Sequence, residues 1–130
     1  MLNNKVVVVT GGAGLLGAAF VQGIVSVGGT AIIADTNEQA GRVLCSEINR
    51  KELAKKAYYI SMDINDKSSI LSLLSVISER HGRIDALVNN AYPRNRQYGQ
   101  PLMQVEYINF CENININLGG YFLTSQQFVS

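Results

Sequence analysis

Residues 5–20 read KVVVVTGGAGLLGAAF. Four valines in a row meet a cluster of glycines, and the chain then turns apolar again. The β-branched run suits a strand covered on both faces, since a half-exposed strand would alternate apolar with polar residues. Residues 14–27 continue as an apolar helix. Between them, Gly12-Ala13-Gly14-Leu15-Leu16-Gly17 spells G-x-G-x-x-G. In a strand–turn–helix context the first glycines, with Gly11 before them, allow a tight turn and a close backbone approach to a pyrophosphate. Gly17 lets the helix pack closely on the sheet. The helix start at Leu15 and Leu16 offers unpaired N–H groups and a positive dipole end to phosphates. The alternative is a packing turn with no ligand.

Working outward, the same alternation repeats. Residues 31–34 (AIIA) form a second buried strand, ending at Asp35. Ala40, Val43, Leu44 and Ile48 recur at helical spacing. Residues 57–61 (AYYIS) are a third strand, ending near Asp63. Ile70, Leu73, Leu74 and Ile77 mark a helix started near Asn65 or Asp66 and stopped by Gly82. Residues 84–88 (IDALV) are a fourth strand, and a polar loop spans 92–101. Tyr107, Phe110, Cys111, Ile114, Leu118, Tyr121 and Phe122 then predict one long amphipathic helix over 107–129. Strand and helix alternate four times, which predicts an α/β doubly wound parallel sheet of order 3-2-1-4 in one domain spanning 1–130.

Two carboxylates sit where a nucleotide would need them. Asp35 at the end of the second strand can accept hydrogen bonds from both ribose hydroxyls of an adenosine, and it would repel a 2′-phosphate. No Arg or Lys follows until Arg42, so the expected cofactor is NAD rather than NADP. Alternatively Asp35 caps the next helix, a task Thr36 or Asn37 could also perform. Asp63 could meet an adenine amino group or cap the turn at Asn65.

Composition excludes other classes. Eleven basic and ten acidic residues leave a net charge of +1 with no block of one sign, so neither nucleic acid nor an anionic membrane is an expected partner. The start MLNNKVVVV has too short an apolar run for a signal peptide, and no apolar span reaches 18 residues. Cys45 and Cys111 lie far apart with no CxxC, as expected of two buried thiols in a reducing cytoplasm. His81, beside Gly82, reads as a surface residue at a helix C-terminus rather than a catalytic or metal-binding one. No metal is expected.

Taken together, Thr10-Gly11 ahead of the glycine turn, Asp35, Asp63-Ile64, Asn89-Asn90-Ala91 and Asn117-Leu118-Gly119 resemble the short-chain dehydrogenases/reductases in order and approximate spacing. The resemblance covers nearly the whole chain. It implies that Thr10, Gly11, Gly12, Gly14, Leu15, Leu16 and Gly17 form the cofactor turn. Asp63 and Ile64 would form the adenine side, and Asn89, Asn90 and Ala91 would close the cofactor pocket. Asn117 would be the catalytic asparagine that holds a water in a proton relay. It also implies dimerisation through the 107–129 helix, helped by Gly119 and Gly120, and therefore a homo-oligomer.

The chain departs from the family in two ways. The glycine spacing 11, 14, 17 follows the extended, sugar-nucleotide-acting branch, whereas Asn89-Asn90-Ala91 resembles the single-domain branch, with Tyr92 where a glycine is usual. In addition, no tyrosine has a lysine four positions later. The resemblance therefore implies an amino-terminal part that lacks the catalytic Tyr-x-x-x-Lys and is inactive alone. A narrower resemblance, through LVNNAYPRNRQYG and FCENININLGGYFLTSQQF, is to the flagellin-modification oxidoreductases of sialic-acid-like sugar biosynthesis. It implies a sugar or sugar-nucleotide substrate, with Tyr92, Arg94 and Arg96 as candidates to meet it. Guanidinium pairs bidentately with carboxylate or phosphate; otherwise this is a solvated polar loop. The rival readings are a non-catalytic NAD-binding module or sensor and an S-adenosylmethionine-dependent methyltransferase, which needs no NNA or Asn117 motif.

Overall fold

A computed structural model describes residues 1–51 and 56–130. The elements are β1 (Val6–Thr10), α1 (Leu15–Ser26), β2 (Thr30–Asp35), α2 (Glu38–Asn49), β3 (Ala57–Ser61), α3 (Lys67–His81), β4 (Ala86–Val88), α4 (Tyr107–Ile114) and α5 (Gly120–Phe128). All strand pairs are parallel and the order is β3-β2-β1-β4, as the alternation predicts.

The valine run has its physical explanation in the two faces of this sheet. Val7 and Val9 join Ala31 and Ile33 on one face, under Val21, Ile24 and Val25 of α1 and Leu44 and Ile48 of α2. Val6 and Val8 join Ile32 and Ala34 on the other, against Ile70, Leu73 and Ile77 of α3. Neither face of β1 is left to solvent, and its one polar residue, Thr10, is buried at the carboxyl end. Each fully buried aliphatic side chain contributes about 1.5–3 kcal/mol, so this central strand holds the two layers together.

The starts and ends of the helices follow local chemistry. Asn37 caps α2 by accepting from the Ala40 amide at 3.1 Å, and Asp66 caps α3 by accepting from the Ser68 amide at 2.8 Å. Gly82 adopts the left-handed conformation (φ 68°) that ends α3, its amide bonding the Ser78 carbonyl.

Five expectations need correction. Val43 is 53% exposed. The inward face of α2 is centred on Gly41 instead, where any Cβ would run into the Tyr59 ring. The fourth strand is shorter, Ala86–Val88, because Asp85 uses its side chain as well as its backbone: its amide donates to the Val6 carbonyl and its carboxylate accepts from the Val6 amide, both at 2.8 Å. His81 is half-buried, its ring edge-on to Tyr58 with centroids 4.7 Å apart. Burial, and then the Arg80 charge, push its pKa below the usual histidine value. A short 3-10 turn, Leu102–Gln104, interrupts the polar stretch before α4. Finally, the long helix closes at Phe128 and is not uniform: a π-type segment, Asn115–Gly119, joins α4 to α5. Both cysteines are free and half-buried.

Candidate functional site

The turn after β1 is shaped by what its glycines exclude. Gly11 has φ 62°, and a Cβ on it would lie 2.8 Å from the Ala91 Cα. A Cβ at Gly17 would collide with the Gly11 carbonyl and the Gly12 Cα. Gly14 differs, since only the Gly11 carbonyl oxygen, at 3.3 Å, lies near a Cβ placed there. Gly11 and Gly17 are thus required by packing, while a Cβ on Gly14 would meet one tight contact and otherwise face the groove.

Thr10 and Asn90 lock this turn to the loop after β4. Thr10 is fully buried, where an unpaired hydroxyl would cost about 1–3 kcal/mol. Its Oγ1 donates to the Val88 carbonyl (3.2 Å) and accepts from the amides of Asn90 (3.0 Å) and Ala91 (3.1 Å). The Asn90 amide nitrogen returns bonds to the carbonyls of Thr10 (3.0 Å) and Gly11 (3.1 Å). Tyr121 of α5 donates to the Ala91 carbonyl at 2.6 Å.

The result is a groove of about 420 Å³ across the carboxyl ends of the strands, where an open parallel sheet binds its ligands. Gly11, Gly14, Leu15, Leu16, Gly17, Asp35, Asp63, Ile64, Asn90, Ala91, Tyr92 and Arg94 line it together. Thr36, read from the sequence only as a possible helix cap, lines it as well, as do Met62 and Pro93, which the sequence did not single out. The available signal was position alone, since Thr36 and Met62 directly follow strand ends and Pro93 lies two residues after the Asn-Asn-Ala motif.

Other predicted residues stand behind the groove or outside it. Thr10 and Gly12 support the turn from beneath; a Cβ on Gly12 would lie 2.9 Å from the Val9 carbonyl oxygen. Asn89 turns toward α5, donating to Ser125 Oγ at 2.9 Å. Arg96 is exposed and does not line the groove. Asn117 lies in the π-type segment, and its Nδ2 donates to the carbonyls of Pro93 and Asn113, both at 2.9 Å. Its Oδ1 is buried without a partner among the described residues. Wide helical turns of this kind often occur at functional positions.

Both carboxylates prove to have local work. Asp35 accepts from the amides of Ala13 (3.0 Å) and Asn37 (2.9 Å), one on each oxygen. It therefore ties the glycine turn to β2, while Asn37 is the helix cap. Each oxygen keeps a second lone pair at the groove wall. Asp63 accepts from the Asn65 amide at 2.8 Å, as a turn cap does, and it also lines the groove.

The residues fit a dinucleotide. Among the described residues no side chain caps the start of α1, its first turn holds no acid, and its leading amides at the groove have no protein acceptor. Leu15 is 93% exposed there, an apolar surface awaiting cover. Among the described residues no His/Cys/Asp/Glu cluster could hold a metal, and no helix is long and apolar enough to cross a membrane.

Residues 5–130 match the family described as short chain dehydrogenase, and the chain belongs to that family of NAD(P)-using oxidoreductases. It is 35% identical over 130 residues to the post-translational flagellin modification protein A of Campylobacter coli, covering 99% of this chain and 50% of that protein. Its fold matches levodione reductase (TM-score 0.87, 23% identity, 99% of this chain and 49% of the other). It also matches the 3-ketoacyl-(acyl-carrier-protein) reductase of Brucella melitensis complexed with NADH (TM-score 0.85, 22% identity, 99% and 50%). The chain spans half or less of the length of the curated relatives it matches.

Proposed function

We propose that this chain forms the NAD(H)-binding part of an oxidoreductase that passes a hydride between the nicotinamide and an alcohol or carbonyl carbon. The observation that carries this is Asp35 at the lip of the groove, fixed by the Ala13 and Asn37 amides beside the uncapped start of α1. A 2′-phosphate there would meet a carboxylate that, among the described residues, pairs with no cation. When bound, the nicotinamide supplies the hydride chemistry. The glycine turn and α1 amides would hold its pyrophosphate, Asp35 its adenosine ribose, and Asp63 and Ile64 its adenine. Asn90 and Ala91 would shape the nicotinamide side. Asn117 would orient a water for a proton relay through its unpartnered oxygen. The proton-handling tyrosine and lysine would come from outside residues 1–130, so these residues alone would turn nothing over. A sugar or sugar-nucleotide substrate, in bacterial flagellin or surface-glycan modification, is supported by the Campylobacter coli relative. The balanced charge and the lack of a membrane-spanning helix among the described residues support a cytoplasmic setting.

Calorimetric titration with both cofactors tests the reading. NADH should bind more tightly than NADPH, and Asp35→Ala should narrow the gap. Asp35→Asn keeps an acceptor for the Ala13 amide, and it should narrow the gap with less loss of stability. Tighter NADPH binding by the unaltered protein would overturn the NAD assignment. Failure to bind either cofactor would overturn the oxidoreductase reading and leave a different role for the groove.

A further inference from the structure

The groove has two chemically opposite ends. Sheet order puts β2 and β4 on either side of β1, so Asp35 and Asp63 lie at one end while Tyr92, Pro93 and Arg94 follow β4 at the other. The Arg94 guanidinium carbon sits over two rings, 5.4 Å from the centre of Tyr92 and 4.9 Å from that of Tyr98. The two rings meet edge to face with centroids 5.8 Å apart, and their hydroxyls are 3.2 Å apart. Among the described residues no carboxylate forms an ion pair with Arg94. Aromatic faces orient a guanidinium but leave its in-plane N–H fork unused. The nearby acid, Glu112, is engaged elsewhere, accepting from Asn95 Nδ2 at 2.7 Å.

The loop beneath this arginine is pinned. Asn95 exchanges bonds with Asn113, its amide donating to Asn113 Oδ1 (3.1 Å) and its Oδ1 accepting from Asn113 Nδ2 (3.0 Å). Asn117 holds the Pro93 carbonyl. One face of α4 and of the π-type segment therefore grips the residues on both sides of Arg94. A long side chain on a slack loop is a solvated charge; one held by its neighbours and by two rings at the mouth of a groove is a recognition element.

We infer that Arg94 is a specificity residue that receives an oxyanion of the substrate, a carboxylate or a phosphate, at the end of the groove opposite Asp35, with Tyr92 and Tyr98 as its platform. Arg96, outside the groove, has no part in this. The inference rests on the oxidoreductase reading for the word substrate, while the anion site itself does not depend on it.

The test is ligand-observed NMR titration of the protein, with and without NADH, using glucose, glucuronate and glucose 6-phosphate as probes. At least one anionic probe should bind about tenfold or more tightly than glucose, the scale of a charge-assisted pair. Arg94→Gln should remove that preference and Arg96→Gln should keep it. Arg94→Lys, which retains charge without the fork, should keep only part of it. Whichever anion shows the larger loss in Arg94→Gln identifies the group as carboxylate or phosphate. Equal binding of all three sugars, no binding of either anion, or an equal effect of Arg96→Gln overturns the assignment. So does a loss of NADH affinity in Arg94→Gln as large as the loss of anion affinity, since the arginine would then serve a cofactor phosphate. If NADH fails to bind the unaltered protein, the oxidoreductase reading falls, while the anion preference is still decided in the cofactor-free titration.

Discussion

Gly14 and Gly17 have the same side chain and opposite duties. At Gly17 a single methyl would strike the Gly11 carbonyl, so Gly17→Ala must push α1 away from the sheet. Overpacking of this kind costs about 1–3 kcal/mol, and the thermal midpoint should fall by several degrees. Gly14 has an extended backbone (φ −76°, ψ 174°) that a β-branched residue accepts, and it faces the groove. Gly14→Val should therefore keep its melting temperature and lose NADH affinity by about tenfold or more. Calorimetry of both variants decides it. Normal cofactor affinity in Gly14→Val would remove this residue from the phosphate site. The motif alone shows that glycines are needed; which serves packing and which serves a ligand depends on what lies opposite each one.

At the scale of elements, β4 is the shortest strand and the one with an electrostatic clamp. Asp85 accepts from Lys5 Nζ at 3.0 Å and from the Val6 amide, and it pairs with Arg83. The Arg83 hydrogen bond, followed by that of the Val6 amide, holds its carboxyl far below the usual carboxylate range. A depressed carboxylate stabilises the fold fully above its unfolded value, near pH 4. That contribution is lost as pH falls from there. His81 has the same sign for a different reason. Burial against Tyr58 lowers its pKa and favours the neutral ring, so stability is lost as pH falls through and below about 6.5. Urea unfolding between pH 7 and 3 should show both losses. Asp85→Asn should flatten the acid limb below pH 4, and His81→Gln should flatten the shoulder above it. An unchanged acid limb in Asp85→Asn would mean that the clamp contributes nothing to folding.

For the whole molecule, the question is what covers α4 and α5. Phe110, Ile114, Leu118 and Phe122 are each 47% exposed or more, and they line an apolar groove of about 660 Å³. Tyr121 is not part of this stripe: it turns inward and bonds the Ala91 carbonyl. Gly120 is buried against Ile64, so it serves the approach of α5 to the loop after β3 rather than a second chain; Gly119 alone lines the outer groove. An exposed apolar stripe of this kind is where a second chain would dock. We expect this chain to self-associate, and a two-fold arrangement would pair the stripe with its own copy. Sedimentation at micromolar concentration should show a dimer that Leu118→Glu converts to monomer. A monomeric unaltered chain would refute the expectation.

The division between sequence and structure follows from the range of the forces involved. Strand order, both faces of the core strands, the glycine turn and the position of Asp35 were legible because each has a short-range signature, a period or a motif between two elements. Asn90, by contrast, was legible only through the family resemblance. The Val43 face was misread because four apolar residues define a stripe only to within one position. Only the tertiary contact with Tyr59 shows that Gly41 faces inward. The π-type turn at Asn115–Gly119 has no local signal, since it follows from docking α4 on the loop and α5 on the sheet at once. The same docking turns Asn89 toward Ser125 and parts Arg94 from Arg96. Sequence alone determined the class of fold and the residues that meet at the Asp35 end of the groove, because those depend on neighbours in the chain. The Arg94 end was decided by the tertiary structure, because a side chain two residues along a loop points wherever distant partners hold it.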